Sequence, residues 1–230
     1  MTARVPRQAT RSPQSSVLGP EAASPALSAL VEGHDLFFRY REQGEPIVRG
    51  VSLCIYAGDR LLLEGPSGGG KSTFASLLTG IRVPQSGLIL VNGLDRYTLG
   101  PNGWRKFVTA APQFHENHVL TNTFSFNLLM GRRWPASHED NRLAEEICRE
   151  LGLDEVLSRM PAGMLQMVGE TGWQLSHGER SRLFIARALL QGAELMVLDE
   201  SFAALDPETL RKALECVLRR ANAVLVIAHP

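Results

Sequence analysis

From residue 31 onward the chain falls into short apolar stretches separated by turn residues. Leu36-Phe37-Phe38-Arg39-Tyr40 predicts a strand, and Glu42 to Pro46 the turn after it. Val51, Leu53 and Ile55 alternate with polar positions, so Val48 to Tyr56 predicts a second strand. Ala57-Gly58-Asp59 then turns the chain into Leu61-Leu62-Leu63, which reads as a buried strand. Thr73 to Leu78 is a helix-compatible run. Leu88 to Val91, set between Ser86-Gly87 and Asn92-Gly93, reads as a hairpin-like strand, and Phe107 to Ala111 as a short one stopped by Pro112.

The period changes after that. Ser125 to Met130, Arg142 to Leu151 and Leu153 to Met160 read as helices, with Leu143, Ile147 and Leu151 on one face. Gly131 to Pro135 breaks the first from the second, and no strand signal interrupts residues 120–165. Leu175-Ser176-His177-Gly178-Glu179-Arg180 opens a helix running to about Gln191. Ser176 with Glu179 three residues on has capping-box spacing. Leu183, Ile185, Ala186, Leu189 and Leu190 give that helix its buried face. Leu195 to Leu198 is a buried strand ending in Asp199-Glu200. Asp206-Pro207 begins another helix, a cap followed by proline at the first position, with Leu210, Leu214, Val217 and Leu218 as its stripe. Ala223 to Ala228 is the last strand, and His229-Pro230 follow it.

Composition narrows the picture. The 230 residues are 44% hydrophobic with zero formal net charge, enough for one large α/β domain and without a pull toward nucleic acid or an anionic membrane. Cys54, Cys148 and Cys216 are far apart and have no metal-ligand spacing, which fits a reducing setting. His115 and His118 are close together, and a polar loop explains them better than a metal site. No apolar run approaches the ~20 residues that cross a bilayer. Residues 1–30 are rich in Ala, Ser, Pro, Gln and Thr, with Arg4, Arg7 and Arg11 scattered among them. They lack an apolar signal core, and their prolines spoil an amphipathic helix. A disordered leader or linker is expected there rather than a targeting peptide, with the folded domain over 31–230.

The chemistry centres on Gly65-Pro66-Ser67-Gly68-Gly69-Gly70-Lys71-Ser72-Thr73. It fits the phosphate-binding loop G-x-x-x-x-G-K-[ST], with an apolar run before it and a helical one after. Glycines let backbone N–H groups turn inward, and these groups with the start of the helix make an anion cradle. Lys71 then reaches the β- and γ-phosphates, and the Ser72 hydroxyl ligates Mg²⁺. The strands before Gly65, Gln113, Asp199 and His229 are expected to end at one rim, where parallel sheets bind ligands. Asp199 matches the acid that holds Mg²⁺, and Glu200 is placed to orient and deprotonate an attacking water. His229 is a candidate for the γ-phosphate. Tyr40 stands ahead of the loop either as an adenine platform or as an edge tyrosine of the fold.

Six features in this order resemble the nucleotide-binding domain of ATP-binding cassette (ABC) proteins over about Glu32 to Pro230. They are Tyr40, Gly65–Thr73, Gln113, Leu175–Arg180, Leu198-Asp199-Glu200 with Ser201–Asp206, and His229. The resemblance implies an α/β fold: a P-loop NTPase core with a mainly parallel sheet, an N-terminal antiparallel β subdomain and an inserted α-helical subdomain over about 114–190. It implies ATP and Mg²⁺ as ligands and ATP hydrolysis as the activity. It also implies adenine stacking by Tyr40, Mg²⁺ and water contacts by Gln113, and a role for Asp206 in linking the two sites of a dimer. Ser176 and Gly178 would bind the γ-phosphate of ATP held by a second nucleotide-binding domain in a head-to-tail dimer. His177 departs from the family's usual glycine and Glu179 from its glutamine, so a bulky, titratable group is expected near that interface.

Val168-Gly169-Glu170-Thr171-Gly172 and Asn122 to Gly131 resemble exporter-type segments that touch a transmembrane domain, fused or separate. The chain would then act at the cytoplasmic face of a membrane through that partner. Members of the family normally continue past the histidine, so a truncated C-terminal end is expected at Pro230. The alternatives are a soluble regulatory or DNA-repair ATPase of the same family, an ATP-binding module without turnover, and an unrelated P-loop kinase. The first usually carries a coiled-coil insertion or second cassette that this sequence lacks, and the last gives no reason for Leu175–Arg180.

Overall fold

The computed structural model describes residues 28–111 and 118–228. Three strands come early: β1 (Val31–Phe38), β2 (Val48–Ile55) and β3 (Arg60–Glu64). After α1 (Lys71–Leu78) come β4 (Ser86–Val91), α2 (Arg96–Phe107) and β5 (Val108–Ala111). β6 (Asn122–Thr123), α3 (Phe124–Leu129), α4 (His138–Glu150), α5 (Asp154–Arg159) and β7 (Met167–Val168) form the middle of the chain. It ends with α6 (His177–Gln191), β8 (Leu195–Asp199), α7 (Pro207–Arg220) and β9 (Ala223–Ala228).

Sheet order separates two β layers. β2, β1 and β4 form an antiparallel sheet in that order, and β3, β9, β8 and β5 form a parallel one. The expected α/β architecture, antiparallel at the start and mainly parallel in the core, is the one observed. Parallel strands need crossovers, and both faces of such a sheet are buried, so β8 and β9 read as unbroken apolar runs. Leu195 and Val197 of β8 and Leu225 and Ile227 of β9 face one core. Met196 and Leu198, with Val224 and Val226, face the other. The first core adds Leu36 and Ile55 of the antiparallel sheet and Phe74, Leu77 and Leu78 of α1. The second adds Phe124, Leu128, Ile147, Leu183, Ile185 and Val217 from the helices.

The structure revises or adds to the local expectations at several points. Leu61-Leu62-Leu63 is not uniformly buried: β3 is an edge strand, and Leu62 is 59% exposed while its neighbours pack partly against the first core. The hairpin-like strand is observed as β4, whose Asn92-Gly93 turn is closed by Val91 and Leu94, but its long antiparallel partner is β1. Residues 96–107, which carry no clear helical period, form α2. It is two helical pieces joined across Gly100 (φ 66°) and Pro101, capped by Asp95, which accepts from Thr98 N–H, and anchored by buried Trp104. The 120–165 region is interrupted after all. β6 lies in it and pairs antiparallel with β7, which follows it.

Candidate functional site

The parallel sheet sets the site. Asp199 ends β8 and Glu64 ends β3, with β9 running between them in register: Glu64 is opposite Ala228, and Asp199 opposite Ile227. The carboxyl ends of three strands therefore share one rim, and β5 pairs with β8 on its other side. Gln113 and His229, predicted for this rim, lie outside the described residues, as do residues 1–27.

The loop after β3 curls over that rim. Gly68 (φ 76°) and Gly70 (φ 85°) are in the left-handed region, where a Cβ is strained. A Cβ at Gly70 would lie 2.5 Å from Ile47 Cγ2, so close packing as well as torsion demands glycine there. Gly70 caps α1, Phe74 N–H donating to its carbonyl at 2.8 Å. Lys71 is 5% exposed, and its Nζ donates to the Gly65 and Pro66 carbonyls at 2.8 and 3.0 Å. The ammonium is thus held against the loop's own backbone. Ser72 is exposed at the first turn of α1, and Thr73 is buried.

Tyr40, just past the end of β1 rather than in it, reaches this loop: its hydroxyl shares a 2.9 Å hydrogen bond with Thr73 Oγ1. A cleft of about 340 Å³ is lined by Tyr40, Ile47, Ser67 to Thr73 and Glu200. It joins residues from four separate parts of the chain. Glu200 follows β8 with φ 50°, an unusual torsion for a side-chain-bearing residue. Two backbone bonds hold it there: its N–H donates to Ile227 O at 3.1 Å, and its carbonyl accepts from Ala203 N–H at 3.0 Å. Asp199 beside it is 5% exposed. The next residue, Ser201, is buried and donates to Ala111 O at 2.8 Å, tying this turn to the end of β5.

The donor chemistry suits the expected ligands. The glycine-rich backbone of the loop, a lysine and the N-terminal end of α1 make a donor set suited to a polyphosphate. A serine hydroxyl and a buried carboxylate are the hard oxygens that Mg²⁺ selects.

Ser176 and Gly178 are not in this cleft. They start α6, where Ser176 Oγ accepts from Glu179 N–H at 3.3 Å and the Glu179 carboxylate accepts from Ser176 N–H at 2.7 Å, so the expected capping box is formed. Burial pushes the Glu179 carboxyl up, but the bonds from Ser176 and Arg159 outweigh it and its pKa lies below the usual range. Ser176 and His177 are exposed. A Cβ on Gly178 would lie 3.3 Å from Ala204 O, so this helix start abuts the loop after Glu200. Ile47 is a cleft residue that sequence reasoning missed. Nothing local marks it beyond an apolar side chain just before β2.

The predicted exporter-type segments meet through the β6–β7 pair. Gln174 Nε2 braces the turn that follows β7, donating to the carbonyls of Gly169, Glu170 and Gly172. A cavity of about 300 Å³ lies there, lined by residues that include Leu120, Thr121, Glu170 and Trp173.

A parallel sheet delivering a glycine-rich loop to a helix, with acids at the neighbouring strand end, defines a P-loop nucleotide-binding domain. Comparison with known proteins then gives the particular family. A model described as "ABC transporter" matches residues 48–203, and the chain belongs to that family as an ABC transporter ATP-binding domain. It is 35% identical over 201 residues to the mycobactin import ATP-binding/permease protein IrtB of Mycolicibacterium thermoresistibile, covering 86% of this chain and 33% of that protein. It is 37% identical over 197 residues to the glutathione/L-cysteine transport system ATP-binding/permease protein CydC of Escherichia coli, covering 85% and 33%. A solved bacterial Atm1-family ABC exporter with ATP bound matches with a TM-score of 0.76 at 30% identity, over 91% of this chain and 37% of that one. The chain thus spans about a third of the length of these relatives. Among the described residues no helix is long and apolar enough to cross a membrane.

Proposed function

We propose that this domain binds MgATP in the cleft between Tyr40 and Glu200 and hydrolyses it to drive an exporter-type transmembrane domain. The observation that carries the reading is the convergence of Tyr40, Ser67–Thr73 and Glu200 on one cleft. Tyr40 stacks the adenine. The loop N–H groups hold the β- and γ-phosphates, with Lys71 exchanging the Gly65 and Pro66 carbonyls for phosphate oxygens. Ser72, Asp199 and Gln113 would hold Mg²⁺, which neutralises phosphate charge as the bond to the leaving ADP breaks. Glu200 orients water for attack on the γ-phosphorus and takes its proton, Gln113 and His229 assisting from the rim. ADP and inorganic phosphate are the products.

Ser176 and Gly178 belong, in this reading, to a second site. They sit outside their own chain's cleft and present a capped helix start to solvent, which suits the γ-phosphate of ATP held by a second, head-to-tail copy. ATP would close that dimer, and hydrolysis would reopen it. The transmembrane partner, fused or separate, docks over the β6–β7 pair, where Leu120 (43%), Leu165 (70%) and Met167 (46%) are exposed apolar residues. The domain works at the cytoplasmic face of that membrane, and no nucleic acid is involved. Export is favoured by the likeness to the Atm1-family exporter, although IrtB is named for import.

The test is Glu200→Gln, which keeps the side chain's shape and removes its basicity. Hydrolysis measured by phosphate release should fall roughly 10²-fold or more, the usual scale of a lost general base. MgATP binding should persist, and a stable ATP-dependent dimer should accumulate on a sizing column. Undiminished phosphate release from the variant refutes the role of Glu200.

A further inference from the structure

Tyr40 is held from more sides than its hydroxyl bond to Thr73 requires. The Phe38 ring meets it edge-on, with centroids 5.3 Å apart and planes at 84°. The Arg82 guanidinium lies over its face, 4.6 Å from the ring centroid, and also 5.8 Å from the Phe38 centroid. Arg82 follows α1, where its N–H donates to Ser76 O at 2.9 Å, so the helix that begins in the phosphate loop also delivers the cation. Tyr40 lines the phosphate cleft but Arg82 does not. Arg82 instead lines a separate hollow with Leu77, Pro84 and Trp104. The guanidinium covers one face of a ring that lines the cleft and is still 53% exposed.

We infer that Arg82 is a positioning residue for the nucleotide base, backing Tyr40 so that base, phenol ring and guanidinium form a three-layer stack. The inference rests on the ATP-binding reading and deepens it. A half-exposed tyrosine at a strand end would otherwise lose rotamer freedom when the base arrives. Arg82, Phe38 and Thr73 remove that freedom beforehand. A planar guanidinium suits a ring face better than an ammonium does, and its charge is attracted to the π-cloud. The residue is expected to act through Tyr40 at the base end of the ligand, because it lines the hollow beside Leu77 and Trp104 rather than the phosphate cleft itself.

The test is calorimetric titration of the full chain, its Arg82→Ala, Arg82→Lys and Tyr40→Ala variants and the Arg82/Tyr40 double variant. Each is titrated with MgATP and with magnesium tripolyphosphate, which has the phosphates and no base. Arg82→Ala should weaken MgATP roughly two- to five-fold, the scale of a cation–π contact, and leave tripolyphosphate unchanged. Arg82→Lys should recover part of the loss. In the Tyr40→Ala background the Arg82 change should have no further effect. Equal MgATP affinity in wild type and Arg82→Ala overturns the inference. So does an equal loss for both ligands, which would mean the phosphate loop was disturbed. A wild-type chain that binds tripolyphosphate and MgATP equally refutes adenine stacking itself, and one that binds neither refutes the nucleotide reading.

Discussion

At the residue scale, backbone torsion decides what the cleft tolerates. Gly70 combines φ 85° with a neighbour, Ile47 Cγ2, that a Cβ would meet at 2.5 Å. Gly70→Ala therefore faces strain and overlap together, which costs about 1–3 kcal/mol. Because Gly70 caps α1, a shift that relieves the overlap should also displace the loop N–H groups that the proposed site assigns to phosphate. Urea melts should show the destabilisation, and titration should show MgATP affinity falling by an order of magnitude or more. A variant with wild-type stability and affinity would mean the loop is softer than its torsions imply. The loop itself was legible in the sequence because its chemistry is local: glycines, lysine and serine at fixed spacing between an apolar run and a helical one. Ile47 and Arg82 were not, because each matters through a contact made only when distant segments fold together. Glu200 was legible as an acid at a strand end. Its left-handed torsion was not, since that comes from the bonds to Ile227 and Ala203.

At the element scale, helix starts were read well where polar caps precede an apolar period, and poorly where they do not. The Ser176–Glu179 box and the Asp206 cap of α7 both follow from residue type and spacing, and Asp206 Oδ1 accepts from Glu208 and Thr209 N–H, each at 3.1 Å. α4 starts earlier than its apolar stripe suggests, because Ser137 and Asp140 build a second capping box on a polar first turn. α2 was hidden by Gly100-Pro101, which breaks the helical period, yet Trp104 holds it by burying its ring and donating Nε1–H to Leu78 O at 2.9 Å. The α6 box should be separable from any phosphate role. Ser176→Ala removes an exposed cap and is expected to cost about 1 kcal/mol, a typical figure for an N-cap. Ser176→Asp keeps a capping acceptor and should restore most of that stability in urea melts. The same aspartate places negative charge where the partner's γ-phosphate would bind, so ATP-dependent dimerisation should stay lost. Recovery of both together would mean the serine acts only as a cap.

At the scale of the whole molecule, the two cores share one sheet, and alternate residues of β8 and β9 divide between them. Four strands ending at one rim could be expected from the sequence, but the order β3-β9-β8-β5 could not, because strand neighbours are chosen by packing across the chain. Nor was the link between α4 and α7 visible. Glu150 of α4 bonds Arg220 Nε at 2.7 Å and Arg219 at 2.7 Å, and Arg220 also pairs with Glu146. Cys216 Sγ donates to the same carboxylate at 3.2 Å. Burial, with the Glu150 charge adding to it, pushes that thiol up to about 12, so it stays protonated. The Arg220 guanidinium chiefly, with Arg219 and Cys216, holds Glu150 down at about 2 against an ordinary 4.5. A carboxyl whose folded pKa is depressed contributes stability that is present above its unfolded value and lost as pH falls through the folded one. The clamp should therefore hold fully above pH about 4.5 and fail on the way to about 2. Allowing for solvent screening, its loss is worth on the order of 1 kcal/mol. Glu150→Gln should lower stability at neutral pH by a similar amount and remove that share of the acid dependence. The gap between wild-type and variant urea melts should thus narrow as pH drops. A gap that stays constant from neutral pH down through that window would mean α4 and α7 are joined by their apolar contacts alone.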